Sequence, residues 1–314
     1  MMRHYVANRA VDAALTVWLV LTLVFLAMRV VPGDPAMAAL GDQATTEQLA
    51  AFRALMGLNE PLAVQYGQFL WEMVRFDFGR SFRTAEPIGG LLAAALPYTL
   101  ELAGAALVVG AAIGVPAGVV AATQRGKAAD YVARVLSLIG LCMPEFYLGA
   151  VLLIVFALRL DLFPIMGGGS GAIDRLHHLV LPSVTLGLVM AAFTARLTRS
   201  SLLEVLKRDY IRTARAVGMP ERSVIWYSAL RNALIPTVTG FGIYILTMLS
   251  GSISIELVFA RPGLGTTLVS GILARDYPVV QAGLVVFAFF VVGVNLAMDM
   301  LYAAIDPRIR VGGV

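Results

Sequence analysis

The sequence predicts an all-α membrane protein that crosses the lipid bilayer six times. Of its 314 residues, 59% are hydrophobic and 14% are charged, and the mean hydropathy is +0.81. Soluble domains carry about 25% charged residues, and a single core of this size cannot hide so much apolar surface. The composition therefore requires a second apolar environment, which is the bilayer.

Six stretches are long and apolar enough to cross the membrane. A spanning helix needs about 20 mainly apolar residues, and five stretches of 16 to 24 residues contain no Asp, Glu, Lys or Arg, while a sixth is interrupted by Glu145 alone. Lipid offers no partner to backbone polar groups, so each stretch is expected to be helical. In chain order, the predicted spans are residues 13–28, 102–124, 135–158, 176–195, 232–255 and 277–298.

The distribution of Lys and Arg predicts the orientation of the chain, because these residues favour the cytoplasmic side. With the N-terminus inside, 15 of the 24 basic residues fall in inside segments and 9 in the longer outside segments. Both termini are therefore expected to be cytoplasmic. The predicted domains are a cytoplasmic N-terminus with the first span (1–32), an extracytoplasmic segment (33–96), and a core of five spans (97–314) that contains a cytoplasmic loop (196–233).

Local signals in residues 33–96 predict two short helices. Thr45 and Gln48 have the spacing of a capping box, and apolar residues follow at helical intervals up to Gly57. A second helix is expected to begin near Pro61. The segment is either a small cap over the ends of the spans or a docking surface for an external partner.

The loop 196–233 carries eight of the 24 basic residues. Residues 209–218 predict a short helix that is ended by a glycine. A second helix is expected from Pro220, a favoured first-turn residue, with Glu221 beside its positive end. The two helices are either a rigid element that enters a groove on another protein or a basic hairpin held by anionic lipid.

Gly and Pro are frequent within the predicted spans, and two interpretations fit them. Small residues allow helices to pack closely, whereas interrupted helices line transport paths. An ionisable side chain inside a span is a functional candidate because its desolvation is costly. We expect Glu145, Gly240 and Gly251 to line a path or a gate, whereas Glu101 and Glu256 lie near span ends, where water or an arginine can reach them.

Signatures of catalysis and metal binding are missing from the sequence. It has no phosphate-binding loop, no H-E-x-x-H motif and no G-x-S-x-G motif. Cys142 is the single cysteine, and the adjacent His177 and His178 form a poor chelating pair. We expect no catalytic residue, no metal site, no cofactor bound by this chain and no nucleic-acid partner.

Short strings along nearly the whole chain resemble the permease subunits of ATP-driven importers of the dipeptide, oligopeptide, glutathione and nickel type. Each string is weak alone, but together they occur in order and at matching topology. They are Gly33-Asp34-Pro35, Gly57-Leu58, Gln65-Tyr66, Asp77 to Phe82, Leu96-Pro97, Thr99 to Leu102, Asp209 to Gly218, Leu230 to Pro236, Pro262 to Gly265, Arg275 to Gln281 and Asp306 to Arg310.

The loop departs from the importer pattern at three positions. Arg212 stands where the pattern has Glu, and Thr213 stands where it has Ala. Val217 replaces a Lys that is frequent in the peptide and nickel branch.

The resemblance implies the fold of a type I ABC importer permease in the bacterial inner membrane. It also implies an assembly with a homologous second permease subunit, two cytoplasmic ATPase subunits that bind ATP and Mg, and an extracytoplasmic solute-binding protein. The matching loop residues would then dock on the ATPase. These residues are Asp209, Tyr210, Arg212, Thr213, Ala214, Arg215 and Gly218.

The cargo implied by the resemblance is a short peptide, with nickel, a nickel chelate or glutathione as the alternative. A stand-alone channel or ion-coupled carrier is the alternative of a different class. Such a carrier would require a relay of ionisable residues or inverted repeats, and Glu145 is the one candidate for a relay.

Overall fold

The computed structural model describes residues 2–30, 35–41 and 43–305. Regular structure in this part of the chain is helical, apart from a single bridge between Arg80 and Pro87. Two helices continue as π-helical turns, at Leu153–Arg159 and Val224–Ala229. The α-helices are α1 (Met2–Val30), α2 (Pro35–Leu40), α3 (Thr46–Leu55), α4 (Leu62–Val74), α5 (Ile88–Thr123), α6 (Ala128–Cys142), α7 (Glu145–Leu152), α8 (Ala172–Val205), α9 (Asp209–Ala216), α10 (Glu221–Ser223), α11 (Leu230–Val258), α12 (Leu264–Leu273) and α13 (Tyr277–Ile305).

The described helices provide six candidate spans when each bent pair is counted once. Four segments are individually long and apolar enough to cross a membrane, namely Val11–Val30, Ile88–Thr123, Ala172–Val205 and Tyr277–Met298. Two bent pairs provide the others, namely Ala128–Cys142 with Glu145–Arg159, and Glu221–Gly242 with Tyr244–Val258. This agrees with the number and order of spans predicted from the sequence.

The third span is broken at Pro144. The axes of α6 and α7 differ by 106°, and both Met143 and Pro144 have extended backbone, with ψ of 130° and 134°. Proline has no amide hydrogen to donate to the helix, and its ring disfavours helical conformation in the residue before it. The side chain that follows this break belongs to Glu145.

The chain forms two compact units. The first comprises the described residues up to Tyr98 together with Pro262–Leu296, and the second comprises Thr99–Arg261 together with residues 297–305. In the first unit, a buried cluster joins Phe25 of α1, Phe69 of α4 and Val285 of α13.

The two helices predicted within residues 33–96 are confirmed. The Thr45 side chain accepts a hydrogen bond from the amide of Gln48, and the Gln48 side chain accepts one from the amide of Thr45. Gly57, with φ of +64°, follows the end of α3, and Pro61 caps the start of α4. These are local signals, which is why the sequence alone could predict them.

In the second unit, α5 packs closely on α8 through a row of glycines. A Cβ added at Gly110 would lie 2.6 Å from Cγ of Met190. A Cβ at Gly114 would lie 2.7 Å from the backbone oxygen of Ala191, and one at Gly118 would lie 2.7 Å from the backbone oxygen of Ala195. Glycines four residues apart lie on one helix face and allow two backbones to approach. For these three glycines the close-packing interpretation is therefore correct.

Candidate functional site

The helix predicted for residues 209–218 is present as α9, which begins at Asp209 and ends at Ala216. Gly218 follows with φ of +82°, a conformation that glycine adopts at no steric cost. The amides of Gly218 and Met219 donate to the carbonyls of Arg215 and Ala214. The helix therefore ends at a glycine cap, as the sequence predicts.

Helix α9 packs on the core of the second unit through Ile211, with Ala214 partly buried against the same cluster. Ile211 is fully buried and belongs to a cluster with Val119 of α5, Leu202 of α8 and Leu230 of α11. The Arg212 side chain, in contrast, is 76% exposed. Of the residues that the resemblance implies for docking, Ala214 is half-buried, and the exposed ones are Asp209, Tyr210, Arg212, Thr213, Arg215 and Gly218.

Two polar contacts hold α9 against the helices that follow it. The amide nitrogen of Asn232 in α11 donates to the Tyr210 hydroxyl at 2.9 Å. The Arg215 guanidinium donates to both carboxylate oxygens of Glu221 in α10, at 2.6 and 3.0 Å. The hydrogen bonds to Glu221 raise the pKa of Arg215 above its usual value. Sequence reasoning included Tyr210 and Arg215 but missed these partners, because the contacts depend on how the loop folds.

The structure brings two of the predicted path residues together. Glu145, the first residue of α7, places its carboxylate against Gly251 of α11, in the space that a Cβ on Gly251 would occupy. Among the described residues, the Glu145 carboxylate has no hydrogen bond or ion pair.

The position of Glu145 is energetically unfavourable for a carboxylate. A charged side chain at the centre of a spanning helix costs about 2.5–3.5 kcal/mol on insertion scales. The positive end of α7 offsets about 0.3–1 kcal/mol of this cost, and at most about 2 kcal/mol in a buried geometry. A further cation, water or protonation of the carboxyl group offsets the remainder.

Gly240, the third predicted path residue, lies elsewhere on α11. A Cβ at this position would collide with the Leu197 side chain of α8 and would lie 3.2 Å from the Phe193 ring. Gly240 therefore allows α11 to approach α8.

A charged cluster in the second unit joins α5, α8 and the end of α11 with the segment that follows it. Glu101 of α5 accepts hydrogen bonds from Arg175 of α8 at 2.6 Å and from Arg261 at 2.9 Å. Glu256 of α11 is buried and accepts a hydrogen bond from Thr99 at 2.6 Å. The expectation that carboxylates near span ends reach an arginine is confirmed for Glu101.

A second carboxylate, Asp130, holds the opposite end of α8. Its side chain is buried and accepts hydrogen bonds from Arg199 at 2.7 and 3.0 Å and from the Gly126 amide at 2.9 Å. Arg134 lies 3.4 Å from the same carboxylate. Asp130 thus joins the turn before α6 to α8.

In the first unit, the strings 77–82 and 275–281 contact each other. Asp276 is buried and accepts hydrogen bonds from the Ser81 hydroxyl and from the Arg83 amide. These strings are almost 200 residues apart in sequence, and the contact brings them together in the first unit. In the string at 33–35, residues 33 and 34 lie outside the described residues, as do all of 306–310.

The first unit also contains an open cleft of about 1000 Å³. Its lining includes Arg29, Glu72, Asp77 and Arg80. Burial, with a smaller contribution from the neighbouring Asp77 carboxylate, raises the pKa of Glu72 above its usual value. The lining carries charges of both signs.

Within residues 2–30, 35–41 and 43–305, no group of three or more His, Cys, Asp or Glu side chains is arranged to hold a metal ion. Cys142 is exposed.

Comparison with known families identifies the class of protein to which this fold belongs. Residues 114–311 match the family of the binding-protein-dependent transport system inner membrane component. Residues 1–103 match the N-terminal family of the same transport systems. The chain therefore belongs to this family and is a permease subunit of an ABC importer, a multi-pass membrane protein.

Individual relatives match over almost their whole length. The chain is 40% identical over 313 residues to a putative peptide transport system permease protein of Brucella melitensis biotype 1, covering 99% of each chain. It is 39% identical over 309 residues to the glutathione transport system permease protein GsiC of Escherichia coli (strain K12), covering 98% of this chain and 99% of that protein.

A solved structure shows the same fold. The native CY5 crystal form of the MetNI methionine ABC transporter, in inward-facing conformations, aligns with a TM-score of 0.59 at 22% identity. The alignment covers 71% of this chain and 100% of that chain. At this identity the likeness supports the type I importer permease fold.

Proposed function

We propose that this chain forms, with a homologous sister permease, the path by which short peptides cross a bacterial inner membrane. A solute-binding protein delivers the peptide on the outer side, and two ATPase subunits bind ATP and Mg on the cytoplasmic side. The relatives named for peptide and glutathione transport support this cargo class, with glutathione as the second candidate. The distribution of basic residues supports cytoplasmic termini.

The proposal rests on the two faces of α9, of which one is exposed and the other is buried. Its exposed residues form the ATPase-docking surface, and its buried Ile211 lies in a cluster with residues of α5, α8 and α11. A displacement of α9 by the ATPases therefore reaches three spans through direct packing. We assign docking to Asp209, Tyr210, Arg212, Thr213, Ala214, Arg215 and Gly218.

Alternating access follows from this arrangement. A ligand shifts a conformational equilibrium only by its differential affinity for the two states. ATP-driven closure of the ATPase pair favours one state through α9, and docking of the loaded binding protein favours one from the outside. Glu145, Gly240 and Gly251 belong to the path or gate in this proposal.

Arg212→Glu provides the test of the loop assignment. Arg212 is the best position because its one ion pair, with Asp209 at 3.6 Å, is exposed, so the change leaves the loop folded. The assembled importer is purified through a tag on this chain, and the retained ATPase is quantified. We expect at least a tenfold loss of ATPase, since like charges facing each other in an interface cost several kcal/mol.

Arg125→Glu is the matched control. Arg125 is also exposed and lies in a different loop on the same predicted side. ATPase retention by this variant should equal that of the wild type. Full retention of ATPase by Arg212→Glu would show that α9 is not the docking surface, and would favour the hairpin held by lipid. Peptide uptake by this chain alone, driven by an ion gradient without ATPase, would instead establish the stand-alone carrier.

A further inference from the structure

The position and surroundings of the Glu145 carboxylate indicate which group of the cargo this chain contacts. The carboxylate lies directly after the break in the third span, is partly exposed, and faces the backbone of Gly251. The neighbouring turn of α7 is apolar in its contacts, since a Cβ on Gly149 would lie 3.4 Å from Ile255, Phe259 and Thr185. A negative group is thus accessible at an apolar helix junction.

Gly251 is the residue that makes this arrangement possible. Any Cβ at position 251 would occupy the place of the Glu145 carboxylate. The two positions therefore form one feature, in which a glycine on α11 provides room for an acidic side chain on α7.

We propose that Glu145 binds the α-ammonium group of the peptide as it passes through the permease. This inference rests on the proposed function. The α-amino group of a free peptide has a pKa of about 7.7–8.0 and is largely protonated at neutral pH. Short peptides and glutathione both carry it, so one carboxylate serves either cargo. A carboxylate without a cation partner among the described residues is the complementary group for this ammonium.

Ligand binding to the assembled importer in nanodiscs, without the binding protein, provides the test. Two probes are titrated by calorimetry, namely trialanine and propionyl-dialanine, which has the same length but no ammonium group. The wild type should bind trialanine at least tenfold more tightly than the analogue, since a hydrogen bond between charged groups is worth at least this factor.

Three variants separate recognition of the ammonium from a structural role. Glu145→Gln and Gly251→Ala should each weaken trialanine binding about tenfold and leave binding of the analogue unchanged. Glu145→Asp, which keeps the charge, should retain most of the preference. Gly104→Ala is the control for Gly251→Ala, because a Cβ at Gly104 has no atom within 4 Å.

Equal binding of the two probes by the wild type, including binding of neither, would overturn the inference. Loss of the sister permease from the Glu145→Gln importer would also overturn it, because the carboxylate would then pair with a cation on that subunit. ATP-driven uptake of trialanine with the binding protein is measured separately. If the wild type takes up trialanine but binds the two probes equally, this inference alone is rejected. If the wild type takes up no peptide, the proposed function is rejected.

Discussion

Gly114→Ala should destabilise the protein, although it adds a single methyl group. The new Cβ would lie 2.5 Å from Cβ of Thr194 and 2.7 Å from the backbone oxygen of Ala191, whereas ordinary contacts are 3.4–4 Å. Relief requires α5 and α8 to separate by roughly 0.7 Å, because a backbone atom cannot rotate away. Overpacking of this kind costs about 1–3 kcal/mol. We expect a decrease in Tm of about 5 °C, given roughly 2–4 °C per kcal/mol for a chain of 150–250 residues.

The matched control is Gly104→Ala on the same helix. A Cβ at Gly104 meets no atom within 4 Å, and alanine favours helix over glycine by about 0.5–1 kcal/mol. Heating the detergent-purified chain and measuring the folded fraction by size-exclusion chromatography would compare the two variants with the wild type. Equal Tm values for Gly114→Ala and wild type, or equal decreases for both variants, would refute the packing argument.

Three further predictions concern charged side chains. Asp276→Ala should lower the stability of the first unit by roughly 3 kcal/mol, because Ser81 and neighbouring amides lose a charged acceptor. Amide hydrogen exchange in the first unit should become faster, and unchanged exchange would contradict the prediction. Asp130→Asn should lower Tm and increase proteolysis in the turn before α6. Arg199→Lys should have a smaller effect of the same kind, because lysine keeps the charge but cannot form the bidentate pair. Equal effects of both changes would contradict the bidentate role. Because the pKa of Glu72 is raised in the folded protein, stability that is present at low pH is lost as the pH rises through that pKa. The Tm of Glu72→Gln minus the Tm of the wild type should therefore increase from pH 4 to pH 7. A constant difference in Tm would contradict this prediction.

The spans and short helices could be predicted from the sequence because their signals are local. Apolar length defined the spans, and a capping box and a glycine defined α3 and α9. Helix α5 begins at Ile88, before the predicted second span of residues 102–124, because Glu101 ends the uncharged stretch but does not end the helix. Glutamate is a good helix former, and the charge of Glu101 is paired with Arg175 and Arg261.

The contacts of the candidate site could not be predicted in the same way. Glycine frequency alone leaves packing and path equally plausible, and the distances at Gly114 and Gly251 decide what each glycine contacts. Tyr210 and Asn232 are 22 residues apart and meet only after the loop folds back. The proline at 144 marked an interruption, but the 106° angle depends on how α7 packs afterwards.

Helix α8 carries an ion pair near each end, Arg175 with Glu101 and Arg199 with Asp130. The two arginines are 24 residues apart, which corresponds to about 36 Å along a helix axis. Pro182 lies within this helix between the two ion pairs, and an interior proline removes a backbone hydrogen bond. Each ion pair therefore fixes one end of a helix that can bend at its proline, so a sideways shift beside α9 does not pass unchanged to the far end.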